Sequence, residues 1–137
     1  LPWKCIDSHF RREMAIEATH ELFSGKEKPD AIFVGNDHMA FAVLETLKCV
    51  IGVRVPEDVS VIGFDDVEMS SWKMYDLTTL RQPVNRMVDA TINMIVKMIE
   101  KQTVETRIEM QSDLMIRGSS RIPDGWPHAL SRSKLSD

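Results

Sequence analysis

The sequence has no long hydrophobic run and no block of like charge. No apolar stretch approaches the ~20 residues that a membrane-spanning helix needs. Lys and Arg number 17 against 21 Asp and Glu, which gives a formal net charge of −4. A mildly acidic chain without a basic cluster is not typical of a surface that binds nucleic acid. These absences exclude a transmembrane segment and argue against DNA or RNA binding by this stretch of chain.

Cysteine and histidine are scarce, and neither forms a metal-binding pattern. Cys5 and Cys49 are far apart and lie in no CxxC motif, and the four histidines show no ligand spacing. Two free, mostly buried thiols are expected, with a disulfide as the alternative. A Ser/His/Asp pattern, a nucleophile elbow, a Gly-rich phosphate loop and HExxH are also missing. The sequence therefore predicts no metal, no cofactor and no enzyme activity.

The remaining composition is that of an ordinary folded domain. Apolar residues make up 43% and charged residues 28% of the 137 residues, which is enough to build a core in one domain. The chain begins with Leu1 rather than Met, which favours a piece of a longer protein. Residues 124–137 are polar and lack periodicity, so we expect them to form a flexible tail.

Helical and strand patterns alternate along the chain. Met14, Ala18 and Leu22 recur at four-residue spacing, which indicates an amphipathic helix, and short continuous apolar runs are typical of strands covered on both faces. The predicted elements are a helix over 11–24, a strand over 31–35, a helix over 38–50, a strand over 59–64, a weakly helical stretch over 67–75, an extended segment over 77–82, a helix over 84–102 and a strand over 108–116. This order predicts an α/β fold with a mostly parallel sheet flanked by helices.

The predicted helix over 38–50 is apolar on nearly all sides. Residues such as Phe41 and Leu44 would therefore be buried against the sheet and against a second surface. The stretch around Trp72 is also rich in large apolar residues. Most such residues belong to a core, and the alternative is an apolar contact between two subunits.

Two polar pairs follow predicted strands. Asn36-Asp37 ends one strand, Asp65-Asp66 ends the next, and Gln82 closes the extended segment. Ligands of open α/β sheets bind at the carboxyl ends of the strands, and carboxylates and carboxamides can each bind two hydroxyls of a sugar. The pairs therefore predict a polyhydroxylated ligand. They could instead cap the following helices, and the acidic pair could serve magnesium or phosphoryl-transfer chemistry.

Three segments carry a more specific pattern. Residues 29–40 read PDAIFVGNDHMA, residues 53–66 read VRVPEDVSVIGFDD, and residues 77–83 read LTTLRQP. In order and spacing they resemble PTAIFxxNDxMAxG, xxVPxDVSVxGFDD and LTTIxQP of the lactose/galactose-repressor (LacI/GalR) family of transcriptional regulators. The resemblance implies a type I periplasmic-binding-protein-like fold, of which this chain would be the second half.

The resemblance also implies a division of the chain. Residues 1–83 would form most of the C-terminal subdomain of an effector-binding domain, 84–107 a helix that crosses back into the N-terminal subdomain, and 108–123 the final strand and return. The DNA-binding head, a helix-turn-helix, would be absent from this chain. In such proteins a small effector, commonly a sugar or a nucleobase, closes the cleft between the subdomains and changes the affinity of the head for operator DNA.

Individual residue roles follow from the same resemblance. Asn36 and Asp65 match positions that contact the effector, Gln82 matches a residue that lines the cleft, and Phe10 lies where an aromatic ring often stacks on the effector. The surfaces that the family uses for homodimerisation match Phe41, Leu44 and Trp72.

Together these features predict the effector-sensing, dimer-forming part of a cytoplasmic transcriptional regulator that responds to a sugar or a similar small molecule. A solute-binding protein of a sugar transport system shares the implied fold and is the alternative. An Asp-dependent phosphotransfer domain is a weaker alternative, which depends only on Asp65-Asp66.

Overall fold

Helices and strands alternate along the described part of the chain. A computed structural model describes residues 3–105 and 107–124. The elements are α1 (Arg12–Ser24), β1 (Ala31–Phe33), α2 (Asp37–Glu45), β2 (Ser60–Asp65), β3 (Thr78–Arg81), α3 (Val84–Ile99) and β4 (Asp113–Met115). A π-helical segment, Thr46–Ile51, continues α2, and a 3-10 helix, Glu68–Ser71, follows β2. None of the described helices is both long and apolar enough to cross a bilayer.

The four strands form one sheet in the order β1-β2-β3-β4. β1 and β2 are parallel, with Ala31 opposite Ser60, and β2 and β3 are parallel, with Ile62 opposite Thr78. Only β4 is antiparallel to its neighbour in this sheet. The predicted mostly parallel α/β sheet is therefore confirmed. The carboxyl ends of β1, β2 and β3 consequently meet at the same edge.

The last strand is shorter than the alternating pattern over 108–116 predicted. Only Asp113–Met115 enters the sheet, because β4 pairs with just three residues of β3. Beyond it, hydrogen bonds replace the ladder: the Ser119 hydroxyl donates to the Val61 carbonyl at 2.6 Å and accepts from the Thr78 N–H at 2.8 Å. The segment after β4 is thereby fixed to both β2 and β3.

The core lies between α1, α2 and the sheet. α2 packs on β2 with one side and on α1 with another, which confirms that this apolar helix is buried on more than one face. The buried residues of α1 are Ala15, Thr19 and Phe23. Each of them directly follows a residue of the predicted stripe, Met14, Ala18 and Leu22. Phe41 and Leu44 are both buried in this core.

One polar chain of contacts joins the helices to the loop before β3. The Arg12 guanidinium donates to Glu45 Oε2 at 2.5 Å, and the Tyr75 hydroxyl donates to Glu45 Oε1 at 2.8 Å. These hydrogen bonds lower the pKa of Glu45, with Arg12 the larger cause and Tyr75 the smaller. The same contact with Glu45 raises the pKa of Tyr75. The Tyr75 ring stacks on Phe41 with centroids 4.2 Å apart. These contacts hold the loop onto the helices.

α3 differs from the other helices because none of its residues is buried. It begins as predicted at Val84 and ends at Ile99, three residues before the predicted end. Its exposed large apolar residues are Val84, Met87, Val88, Ile92, Ile95, Val96, Met98 and Ile99. An amphipathic helix with this face uncovered is typical of an element that packs on a further part of a protein.

Two predictions on side chains and termini have different outcomes. Cys5 and Cys49 are free, as expected, but both are exposed rather than buried. Cys5 precedes α1 in an irregular segment, and Cys49 lies in the π-helical segment after α2. The predicted flexible tail over 124–137 lies outside the described residues apart from Asp124.

Candidate functional site

Asp65 and Gln82 meet at the carboxyl edge of the sheet. Asp65 is the last residue of β2, and Gln82 directly follows β3. Because the two strands are parallel neighbours, their ends coincide, and the Gln82 amide Nε2 donates to Asp65 Oδ1 at 2.5 Å. Both side chains are half-buried. The pair offers carboxylate and carboxamide oxygens and an amide donor at one point, which suits a ligand with several hydroxyl groups.

Asn36 follows β1 at the same edge and caps α2. The Met39 N–H donates to Asn36 Oδ1 at 2.8 Å, so the capping alternative for this residue is confirmed. The cap engages the carbonyl oxygen and leaves the Nδ2 donors for other partners. The cap also fixes the side-chain rotamer, so Asn36 is held half-buried at the strand end.

Asp37, its neighbour in the sequence, is completely buried and has a different task. Its Oδ2 accepts from the Val67 N–H at 3.0 Å and from the Ser70 hydroxyl at 2.6 Å, and its Oδ1 accepts from the Thr79 hydroxyl at 2.7 Å. These bonds tie α2 to β3 and to the start of the 3-10 helix. Asp37 therefore holds the start of that short helix in place through the Val67 N–H and the Ser70 hydroxyl. Gly63 makes room for this carboxylate.

Asp66 is bound by two arginines. Arg81 Nε donates to Asp66 Oδ2 and Arg117 Nη2 donates to Asp66 Oδ1, each at 2.6 Å. The Asp66 side chain is only 4% exposed, so its oxygens are occupied within the chain. The sequence-based interpretation missed Arg117, because nothing in the local pattern after the last strand indicates that this arginine reaches the end of β2.

Phe10 lies in the turn before α1. Its ring is 76% exposed, and among the described residues no aromatic pair involves it. The Arg11 N–H donates to the Ser8 carbonyl at 2.8 Å and closes this turn. The structure therefore presents the ring to solvent, and the role of Phe10 as a stacking residue stays a prediction.

The three residues matched to a dimer surface separate in the structure. Phe41 and Leu44 fill the core beneath α1, so burial moves these two from the predicted surface to the interior of the chain. The physical reason is that α1 covers the side of α2 that the sheet leaves open. Trp72 is 49% exposed, so its place on a dimer surface stays a prediction.

An open cavity of about 390 Å³ reaches Gln82 but is not lined by Asp65. Phe64, Gln82 and Met87 line it together with Ile108 and Met110. This volume lies within the range of small-molecule sites, and its apolar walls with a few polar groups fit that class. Among residues 3–105 and 107–124, no group of three or more His, Cys, Asp or Glu side chains is arranged to hold a metal ion.

Comparison with known proteins gives the same assignment throughout. Residues 3–120 match the periplasmic binding protein-like domain family. The chain is 38% identical over 115 residues to the HTH-type transcriptional repressor PurR of Photobacterium profundum. This match covers 83% of the chain and 34% of that repressor, so the chain spans about a third of the relative's length.

Solved structures agree with this match. A LacI family transcriptional regulator from Bifidobacterium animalis subsp. lactis DSM 10140 superposes with a TM-score of 0.77 at 32% identity, covering 85% of this chain and 43% of that one. The transcriptional regulator CelR in complex with cellobiose superposes with a TM-score of 0.73 at 32% identity, covering 81% and 34%. The chain therefore belongs to the periplasmic binding protein-like domain family, in the form that LacI-family transcriptional regulators carry.

Proposed function

We propose that this chain is the effector-sensing part of a small-molecule-responsive transcriptional regulator. The observation that carries the proposal is the Asp65–Gln82 contact at the carboxyl edge of the sheet, beside a cavity of about 390 Å³. Asn36, capped in place at the next strand end, would add amide donors to the same ligand. The similar proteins are named as repressors and regulators, which favours this function over a transport protein or a phosphotransfer domain.

The proposed effector is a sugar. Each hydroxyl of a sugar donates and accepts a hydrogen bond, and a carboxylate beside two carboxamides can satisfy several hydroxyls at once. The similar regulator CelR was solved with cellobiose bound, which supports a carbohydrate in this fold. The exposed ring of Phe10 would stack on the apolar face of a sugar ring.

The division of the domain is part of the proposal. Residues 1–83 would form most of a C-terminal subdomain, 84–107 would cross into an N-terminal subdomain, and 108–123 would return. The uncovered apolar face of α3 supports this division, since that face needs a partner surface. The chain would then be the second half of the domain, and the other half would supply the opposite wall of the effector cleft.

The proposal also covers partners and location. The full-length regulator would form a homodimer and bind operator DNA through a helix-turn-helix outside this chain. The similar PurR is an HTH-type repressor, and the similar lac repressor was solved as a dimer bound to operator, which supports both parts of this proposal. It would act in the cytoplasm, where that DNA is, and would not be an enzyme. This chain alone is not expected to bind operator DNA, since its net charge is −4.

Replacing Gln82 by leucine tests the assignment of the effector site. Cellobiose, lactose and galactose are titrated by calorimetry into the full-length protein, and the wild type is expected to bind at least one of them. The Gln82→Leu variant should raise the dissociation constant about 3–10-fold, because one neutral hydrogen bond contributes ~0.5–1.5 kcal/mol. Gln102→Leu, at an exposed position after α3, is the matched control. Equal affinities for the wild type and Gln82→Leu would contradict the assignment.

Replacing Trp72 by serine tests the dimer contact. A tryptophan at the centre of an interface commonly contributes ~2 kcal/mol or more, so the dimer dissociation constant should rise about 30-fold. Light scattering after gel filtration of the full-length protein measures this change. Trp3→Ser, which alters another exposed tryptophan, should leave the dimer intact. A Trp72→Ser protein that stays dimeric at every dilution would remove Trp72 from the interface.

A further inference from the structure

The backbone at the end of β2 adopts an unusual conformation. Asp65 has φ 125° and Asp66 has φ 58°, so two successive residues with side chains lie in the region that favours glycine. Such a conformation persists only where the surrounding contacts determine it, and it is concentrated at binding and active sites. The contacts that hold these two residues therefore decide where the Asp65 carboxylate points.

The contacts on Asp66 come from two different parts of the fold. Arg81 reaches it from the end of β3, and Arg117 reaches it from the segment after β4, each at 2.6 Å. Charge-assisted bonds from guanidinium groups are the strong class of hydrogen bond. Both carboxylate oxygens of Asp66 accept hydrogen bonds from arginines, so Asp66 fixes the turn and is not open to a ligand.

Arg117 is the better anchored of the two arginines. Its Nη1 donates to the Leu77 carbonyl at 2.7 Å, and its backbone N–H donates to the Thr78 hydroxyl at 2.9 Å. The Arg117 side chain is 15% exposed, whereas that of Arg81 is 47% exposed. Arg117 thus joins the start of β3 to the end of β2, and the semi-buried ion pair is less screened by solvent than a surface pair.

We propose that Arg117, acting through Asp66, is a positioning residue for the effector site. It fixes the two-residue turn and thereby aims Asp65, while Arg81 supports the same carboxylate from the outer side. Arg117 itself does not contact the effector. This inference rests on the proposed function, since it assigns the residue that sets the geometry of the Asp65–Gln82 pair.

Two arginine variants of the full-length protein test the inference. Arg117→Met removes the guanidinium from Asp66 and keeps an unbranched apolar side chain. Arg121→Met is the matched control, because Arg121 also ties the segment after β4 to the fold, through the Asp30 and Glu57 carbonyls and the Ser60 hydroxyl. For each variant, calorimetry measures the affinity for cellobiose, lactose and galactose. Urea unfolding measures the midpoint of the same variant.

We expect the two variants to separate affinity from stability. Both variants lower the urea midpoint, but only Arg117→Met raises the sugar dissociation constant, by about tenfold or more, because a misdirected Asp65 carboxylate loses its charged hydrogen bond to a sugar hydroxyl. Arg117→Lys, which restores the positive charge, should recover part of the affinity. Equal affinities for the wild type and Arg117→Met, or equal losses in both methionine variants, would overturn the positioning role. A wild type that binds none of the three sugars would overturn the proposed sugar effector first, and the inference with it.

Discussion

Gly63→Ala is expected to destabilise the protein by about 2–4 kcal/mol, because the new methyl group would collide with a buried carboxylate. A Cβ at this position would lie 2.2 Å from Asp37 Oδ1 and 3.0 Å from Leu77 Cδ2. Relief of the first contact requires Asp37 to move away from the Thr79 hydroxyl, which leaves a buried charge with fewer donors. Overpacking and the loss of a charged hydrogen bond each cost ~1–3 kcal/mol. Urea unfolding of the full-length protein measures the change.

Gly35→Ala is the matched control for this substitution. A Cβ at Gly35 would meet only the Met39 Cε, at 3.9 Å, which is an ordinary van der Waals contact. The same added methyl group should therefore change the free energy of unfolding by less than about 1 kcal/mol. If Gly63→Ala and Gly35→Ala unfold at the same urea concentration, the buried Asp37 carboxylate does not tie α2 to β3 through the hydrogen bond from Thr79.

Asp65→Asn is expected to weaken effector binding by about 10–100-fold with little change in the fold. Asparagine keeps an oxygen that can accept from Gln82, so the local geometry is retained. The negative charge is lost, and a hydrogen bond from a sugar hydroxyl to a charged acceptor contributes ~1.5–3 kcal/mol. Calorimetric titration of the full-length protein with the sugar that the wild type binds measures the effect.

Asp58→Asn controls for the loss of a charge elsewhere. Asp58 is exposed and pairs with Arg54, whose hydrogen bonds lower the pKa of Asp58 to about 2. An exposed pair of this kind contributes little, so neither affinity nor stability should change much. If Asp65→Asn and Asp58→Asn have the same sugar dissociation constant, Asp65 does not contact the effector.

Local patterns were sufficient to predict the order of the elements. A continuous apolar run marks β2, and a four-residue spacing marks α1, because each pattern depends only on the geometry of one element. The sequence indicated that Asp65 and Gln82 each follow an extended segment, but their contact depends on the parallel pairing of β2 with β3, which only the structure shows. The resemblance to the LacI/GalR family added the effector assignment itself.

The interior contacts could not be predicted from local patterns. The buried face of α1 is one residue away from the predicted stripe, because its rotation is set by packing on α2. The same packing buries Phe41, which the family resemblance had placed on a dimer surface. The ion pair between Asp66 and Arg117 joins residues far apart in the sequence, so no short motif could indicate it.

A crystal structure of the full-length protein, grown with the sugar that it binds most tightly, tests the proposed effector site most directly. We expect sugar hydroxyls within hydrogen-bond distance of the Asp65 carboxylate and the Gln82 amide, at the carboxyl edge of the sheet, with the Asp66–Arg117 ion pair retained. A sugar bound elsewhere, with the Asp65–Gln82 hydrogen bond unchanged and no sugar atom in contact with either residue, would contradict that site.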